Sequence, residues 1–355
     1  MSTEEQTRAI IHPQLDPWLV GGLSIVVLGI FLVFSSTIPR DLIVGDFLVL
    51  TVLLNGTHFM ASYLLLYSSK ENVYRYRAAA LYMPIGLMSV GALGLILAAP
   101  PYENGVVVQG IMILAALYLA LHYTGQAWGM MASYAYLHGI RFEPIERRRL
   151  RLCLRTMAVW QMAWSLTLAP AFVPTSMAES LNLCMKGLNV VALISLIVGA
   201  TTLKSISRRL NARLPISMVL PFATLYVWYV FLSVYPQALF WVQISHAVQY
   251  LSFPARVEIN RASSRGSIRN NLSRWKHLGA YSLTLIVASF IVFFGIDKGL
   301  NYPTGGFEVY WLVICSLINI HHYFIDGCVW HISNPEVRAD LFAHLGPPGS
   351  ITHRH

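Results

Sequence analysis

The residues of this chain that could do chemistry are imidazoles set in apolar sequence. Asn319-Ile320-His321-His322-Tyr323-Phe324-Ile325-Asp326 continues a hydrophobic run that begins at Glu308. An ionisable group inside lipid needs a partner, and an unmet polar group there costs several kcal/mol. On a helix Asn319, His322 and Asp326 fall at i, i+3 and i+7 and share a face, while His321 points about 100° away. His58, His122 and His246 lie in three other apolar runs. Neutral imidazole is the commonest biological ligand for iron, copper and zinc, so the expected chemistry is that of a metal. The candidate ligands are His58, His122, His246, His321 and His322, and the expected cofactor is non-haem iron, as one or two ions.

Each of these histidines carries amide or phenol groups on its own helical face, as groups that fix ring tautomers do. Asn55 precedes His58 by three residues, Tyr118 and Gln126 flank His122 at four, and Gln243, Gln249 and Tyr250 surround His246. Asp326, Gln126 and Tyr250 are therefore the candidate catalytic groups. Asp326 is either a ligand or the carboxylate that receives an imidazole N–H. His138 and His331 fall at span ends and read as interfacial. Tyr123, Trp128, Tyr134 and Tyr136 read as packing or as an aromatic belt. Glu258, between Arg256 and Arg261, reads as one half of an ion pair at a helix end.

The elements that must position these groups are membrane spans. The chain has 355 residues, 56% hydrophobic and only 12% charged, with a mean hydropathy of +0.56. That is about half the charge of ordinary soluble domains. About 20 apolar residues cross a bilayer. On that criterion an all-α bundle of about ten spans is expected, over 17–38, 42–67, 78–99, 105–137, 152–173, 180–203, 215–235, 237–257, 278–296 and 308–332. A tight turn at Pro236 separates the seventh from the eighth. Residues 1–16 form a polar N-terminus, 17–332 the helical domain and 333–355 a tail.

The basic residues alternate with the spans. They gather after the second (Lys70, Arg75, Arg77), the fourth (Arg141, Arg147 to Arg149, Arg151), the sixth (Lys204, Arg208, Arg209, Arg213) and the eighth (Arg256 to Lys276). The other loops hold little more than Arg40 and Lys298. The positive-inside rule then puts both termini in the cytoplasm, and in a bacterium the protein in the inner membrane. This placement accounts for the net charge of +9 without nucleic acid as a partner. Cys153, Cys184, Cys315 and Cys328 lie in or beside apolar runs with no CxxC spacing, which speaks against a disulfide framework or a zinc ribbon. The first apolar run is too long for a cleavable signal and reads as an anchor.

Measured from the cytoplasmic span ends, His58, His246 and His322 lie about ten residues in and His122 about sixteen, or roughly 15 to 24 Å at 1.5 Å per residue. Donors at one depth on four helices suit a shared metal. Ferritin-like di-iron proteins use Glu and Glu-x-x-His, which are absent here. Histidine-rich sites favour oxidation of a lipid by O2, with the apolar substrate taken from the bilayer and an electron donor if the reaction demands one.

The stretch His322-Tyr323-Phe324-Ile325-Asp326, with His58, His122 and His246 on other spans, resembles the pattern of the Brp and Blh family of membrane proteins. That family comprises β-carotene dioxygenases that use iron and yield retinal. The resemblance implies iron ligation by those four histidines and an isoprenoid or carotenoid substrate. It covers only short motifs, and Gln249-Tyr250 stands where an HxxxH pair would place its second histidine. Membrane desaturases and hydroxylases are a more distant likeness, since only His321-His322 matches their boxes. Two readings of other classes stay open. A haem-bearing electron-transfer protein would use two of the histidines axially, and a proton-coupled transporter would use His322 and Asp326 as a relay.

Overall fold

The computed structural model describes residues 8–45, 48–168, 173, 175–268, 270–299, 307–330 and 335–345. His331, His353, His355 and parts of both expected tails lie outside the described residues. Among the described residues every regular element is helical and no strand occurs. In chain order the helices are α1 (Trp18–Val33), α2 (Arg40–Val44), α3 (48–67), α4 (Lys70–Arg75), α5 (Ala78–Ala98), α6 (Val106–Leu137) and α7 (Pro144–Thr167). There follow α8 (Thr175–Arg209), α9 (Ile216–Val234), α10 (Leu239–Ser264), α11 (Asn271–Gly299), α12 (Phe307–Val329) and α13 (Pro335–Leu341).

Six of these, α5, α6, α8, α9, α11 and α12, are long and apolar enough to cross a membrane. Their outer faces carry large bare side chains such as Leu183, Met88, Ile291 and Ile85, a surface suited to acyl chains rather than water. The other four expected spans are also helices, but they are not among these six. α1 has only 16 residues. α3 contains a π turn, α7 opens on Glu146, Arg147, Arg148 and Arg149, and α10 carries Gln243, His246, Gln249 and Arg256. The turn at Pro236 is a single 3-10 turn, Pro236–Ala238, entered as Tyr235 leaves the helix. Pro221 and Pro254 lie inside α9 and α10, and both helices continue through them.

Contacts gather the arginine-bearing segments at one end of the bundle. Arg209 pairs with Glu146 at 2.9 Å and donates to the Arg141 carbonyl. Tyr136 packs on Phe342, and Arg261 pairs with Asp340 at 2.6 Å. Asn72, Arg75, Arg261 and Asp340 line a common small cleft. Glu258 has a side-chain partner, but not among its sequence neighbours. It meets His277 at 2.8 Å, while Arg256 donates to the Ile10 carbonyl. The four cysteines are free.

Between helices the polar side chains find one another, which is how helices adhere where hydrophobicity cannot discriminate. Trp160 donates to Asn189 at 2.6 Å, Tyr229 to Gln161 at 2.7 Å, and Trp228 to Ser24 at 2.8 Å.

Three helices contain π turns, at Trp18–Gly22 in α1, Thr51–Gly56 in α3 and Ala78–Tyr82 in α5. A π turn disturbs the i→i−4 ladder and frees carbonyl groups, which cannot be left bare in an apolar interior. Side chains take them up. The Val20 carbonyl accepts from Gln249, Val52 from Ser289, Leu53 from Thr57, Asn55 from His58, Ala79 from His321 and Ala80 from Tyr67.

Gly56 lets α11 reach the turn in α3, since a Cβ there would stand 2.1 Å from Ser289 Oγ and 3.0 Å from the Phe293 ring. Gly56→Ala should therefore destabilise the folded protein by about 1–3 kcal/mol through overpacking. Gly29→Ala, which meets open space, should not. Thermal unfolding of both variants in detergent checks this, and equal midpoints would disprove the close approach.

Candidate metal centre

Four helices, α3, α6, α10 and α12, each supply one buried imidazole to the middle of the bundle. One nitrogen from each of His58, His122, His246 and His322 lies within 4.8 Å of all the others. The Nε2 atoms of His58 and His322 are 2.9 Å apart, and those of His122 and His246 are 3.0 Å apart. Metal–imidazole bonds are about 2.0–2.1 Å, so donors on opposite sides of one ion stand roughly 4 Å apart. The observed spread is somewhat wider than that, and small side-chain shifts would bring the four nitrogens onto one ion.

Asp326 adds an oxygen. Its Oδ2 lies 3.4 Å from His322 Nε2 and 3.8 Å from His122 Nε2. The other oxygen, Oδ1, accepts from Ser62 at 2.8 Å and from Tyr250 at 2.9 Å. With two donors on one oxygen, the carboxylate is turned so that its second oxygen faces the imidazoles. Tyr250 in turn accepts from the Trp330 indole at 2.8 Å.

The tautomer of His58 follows from its partner. A carbonyl only accepts, so His58 Nδ1, 2.6 Å from the Asn55 carbonyl, carries the proton and Nε2 presents its lone pair to the cluster. This is the usual support of a ligating histidine. The Nδ1 atoms of His246 and His322 are buried without a hydrogen-bond partner. Without an ion, each close Nε2 pair can share only one proton. A cation drawing on four lone pairs satisfies the group better than hydrogen bonds among its members.

The five expected ligands thus divide four to one. His321 does not join the cluster. Its Nε2 donates to the Ala79 carbonyl at 2.7 Å and its Nδ1 accepts from the Tyr63 hydroxyl at 3.0 Å. Both nitrogens are occupied, one by the π turn of α5 and the other by Tyr63 of α3, which corrects the expectation of a metal ligand. Of the candidate catalytic groups, Asp326 and Tyr250 reach the cluster. Gln126 stands beside it, donating weakly to the His246 carbonyl at 3.3 Å and to Gln249 at 3.4 Å. Its Oε1 is buried without a partner. Asn319 turns to its own helix, accepting from Tyr323 and donating to the Cys315 carbonyl.

Several residues of the site carry no distinctive sequence signal. The Tyr323 ring stacks on His122 at 4.4 Å, and Tyr123 tilts against His246 at 4.7 Å. Ser62 follows His58 by four residues, on the same helical face, and that spacing alone could have pointed to it. The imidazoles meet edge to ring at centroid distances of 4.4 to 5.1 Å, which leaves no slot between them for a porphyrin.

The fold and site together define an all-helical protein of membrane-crossing type with four imidazoles and one carboxylate converging at its centre. Comparison with protein-family models, curated proteins and solved structures finds no match to this chain.

His321→Phe should leave metal content unchanged and destabilise the fold by about 1–3 kcal/mol, the cost of unpairing a buried carbonyl. His322→Phe should abolish metal retention. Metal analysis of both purified variants decides, and loss of metal in His321→Phe would return that residue to the site.

Proposed function

We propose that the protein is an integral-membrane oxidoreductase of about ten spans with both termini cytoplasmic, holding non-haem iron. His58, His122, His246 and His322 would be the ligands, with Asp326 as fifth donor. The observation that supports this reading is the clustering of four imidazole nitrogens within 4.8 Å of one another, with an Asp326 oxygen 3.4 Å from His322 and 3.8 Å from His122. Imidazole suits iron, copper, nickel and zinc, and an added carboxylate shifts the preference toward iron or manganese. A five-donor set leaves a sixth position for a reactant.

Bound there, iron would supply activation of O2. The protein's own part is positional. Ser62 and Tyr250 hold the carboxylate of Asp326, and the Asn55 carbonyl holds His58. Tyr123, Tyr323 and Phe59 surround the imidazoles with rings that keep water away. An apolar isoprenoid or carotenoid taken from the bilayer is the substrate class consistent with this setting. Cleavage of one C=C bond by O2 gives two carbonyl groups, uses both oxygen atoms and needs no outside electrons. Hydroxylation or desaturation would need a separate donor. The first is the reaction we favour, in line with the likeness to the carotenoid dioxygenases.

Elemental analysis and an absorption spectrum of detergent-purified protein should give iron at one or two per chain with no Soret band. His122→Ala and His246→Ala should each lose metal yet remain folded and inserted. Aerobic incubation with β-carotene should yield an aldehyde by chromatography, and none under argon. Metal-free protein that keeps full activity would end this reading. A bound haem would replace it with electron transfer.

A further inference from the structure

We infer that the polar cavity at the arginine-rich end of the bundle binds a phosphate-bearing anion, independently of the metal centre. The cavity measures about 550 Å³ and lies between the end of α10, the start of α11 and the segment after α13. Arg256, Asn260 and Ser264 line it from α10, Asn271 and Arg274 from α11, and His344 from beyond α13. Among the described residues no carboxylate lines it.

Two arginines therefore line one cavity. Arg256 is only 6% exposed, and its Nε is engaged with the neutral Ile10 carbonyl. Arg274 donates from Nη2 to the Ile11 carbonyl at 3.3 Å, and its Nε is buried without a hydrogen-bond partner. Of the described carboxylates nearby, Asp16 lies close enough to act on Arg256 through its charge, and each is also engaged elsewhere. Asp16 accepts from the Ile10, Ile11 and His12 amides, Glu258 pairs with His277, and Asp340 pairs with Arg261.

Two independent features favour an anion over water alone. The cavity opens at the N-terminus of α11, a 29-residue helix capped by Asn270, whose Oδ1 accepts from the Ser273 amide. Such an end carries about half a positive charge. Arginine also presents forked donors matched to phosphate oxygens. A volume in the usual range for small-ligand sites leaves room for the group that bears the phosphate. That group is either a lipid, whose headgroup lies at this end of a membrane bundle, or a soluble compound.

The test is thermal unfolding of the full-length, delipidated protein in detergent, with two probes. Sodium pyrophosphate is compared with sodium chloride at equal ionic strength. Dihexanoyl phosphatidic acid is compared with dihexanoyl phosphatidylcholine. A rise in midpoint with pyrophosphate identifies a soluble phosphate ligand; a rise with phosphatidic acid only identifies a headgroup. Arg274→Gln should weaken the effective probe roughly tenfold to a hundredfold, the loss of a charge-assisted hydrogen bond. Ser264→Asp should do the same by placing a carboxylate on the wall, and this exposed residue leaves the Ile11 contact intact. If neither probe raises the midpoint, or if both variants respond as the parent does, the cavity is not an anion site.

Discussion

A polar group inside this bundle that lacks a partner within the protein is costly, because acyl chains offer none. That constraint explains more of the structure than hydrophobic packing does. Leucines and valines face one another and the outer surface alike, so they cannot fix which helix lies beside which. Freed carbonyls can. The three π turns expose backbone oxygens at fixed points. Gln249 of α10 answers α1, Ser289 of α11 answers α3, and His321 of α12 answers α5. Each pairing constrains the rotation of one helix about its axis, and in α10 and α12 with it the direction of His246 and His322.

The adjacent histidines of α12 show how this constraint divides labour. At about 100° apart on a helix they cannot serve the same centre without distortion. One faces inward to His58, His122, His246 and Asp326. The other closes the π turn of α5 and is steadied by Tyr63. The magnitudes support this division. A buried carbonyl left unpaired costs about 1–3 kcal/mol, enough to reserve an imidazole for it. The inward group faces a larger demand, since four buried rings share too few protons. A cation could meet that demand by drawing on the imidazole lone pairs.

Much of this was legible in the sequence. The apolar runs indicated helices, and all ten expected spans lie on helices. Pro236 marked the turn, and the common depth of His58, His122, His246 and His322 brought them to one place. What escaped was azimuth. Hydropathy gives the height of a residue in a span but not the direction it faces once the helix packs, and π turns shift that direction locally without a sequence signature. Hence His321 was grouped with its neighbour, and Tyr323, as a plain aromatic, was not connected to His122. Glu258 was paired with Arg256 and Arg261 from adjacency, whereas tertiary packing gives it His277 and sends the arginines to Ile10 and Asp340. Asn55 was read as an amide beside His58, and it acts through its backbone oxygen instead.

The hydrogen bonds leading away from the centre bear on which chemistry it favours. From Asp326 they pass to Tyr250 and from Tyr250 to Trp330, whose ring lines the small cleft with Arg75, Arg261 and Asp340. This chain reaches the arginine-rich end, where a proton route would have to emerge. An indole nitrogen, however, donates and does not accept. It fixes the Tyr250 proton toward Asp326 and cannot hand a proton on in either direction. The chain is thus a brace for the carboxylate, not a conduit. A proton-coupled transporter built on His322 and Asp326 would need a relay of groups that both give and receive, and a metal centre needs a carboxylate held still. Along the Trp330 branch the residues around Asp326 hold the carboxylate still and offer no such relay, whereas Ser62, whose hydroxyl can both give and receive, touches both Tyr250 and Asp326.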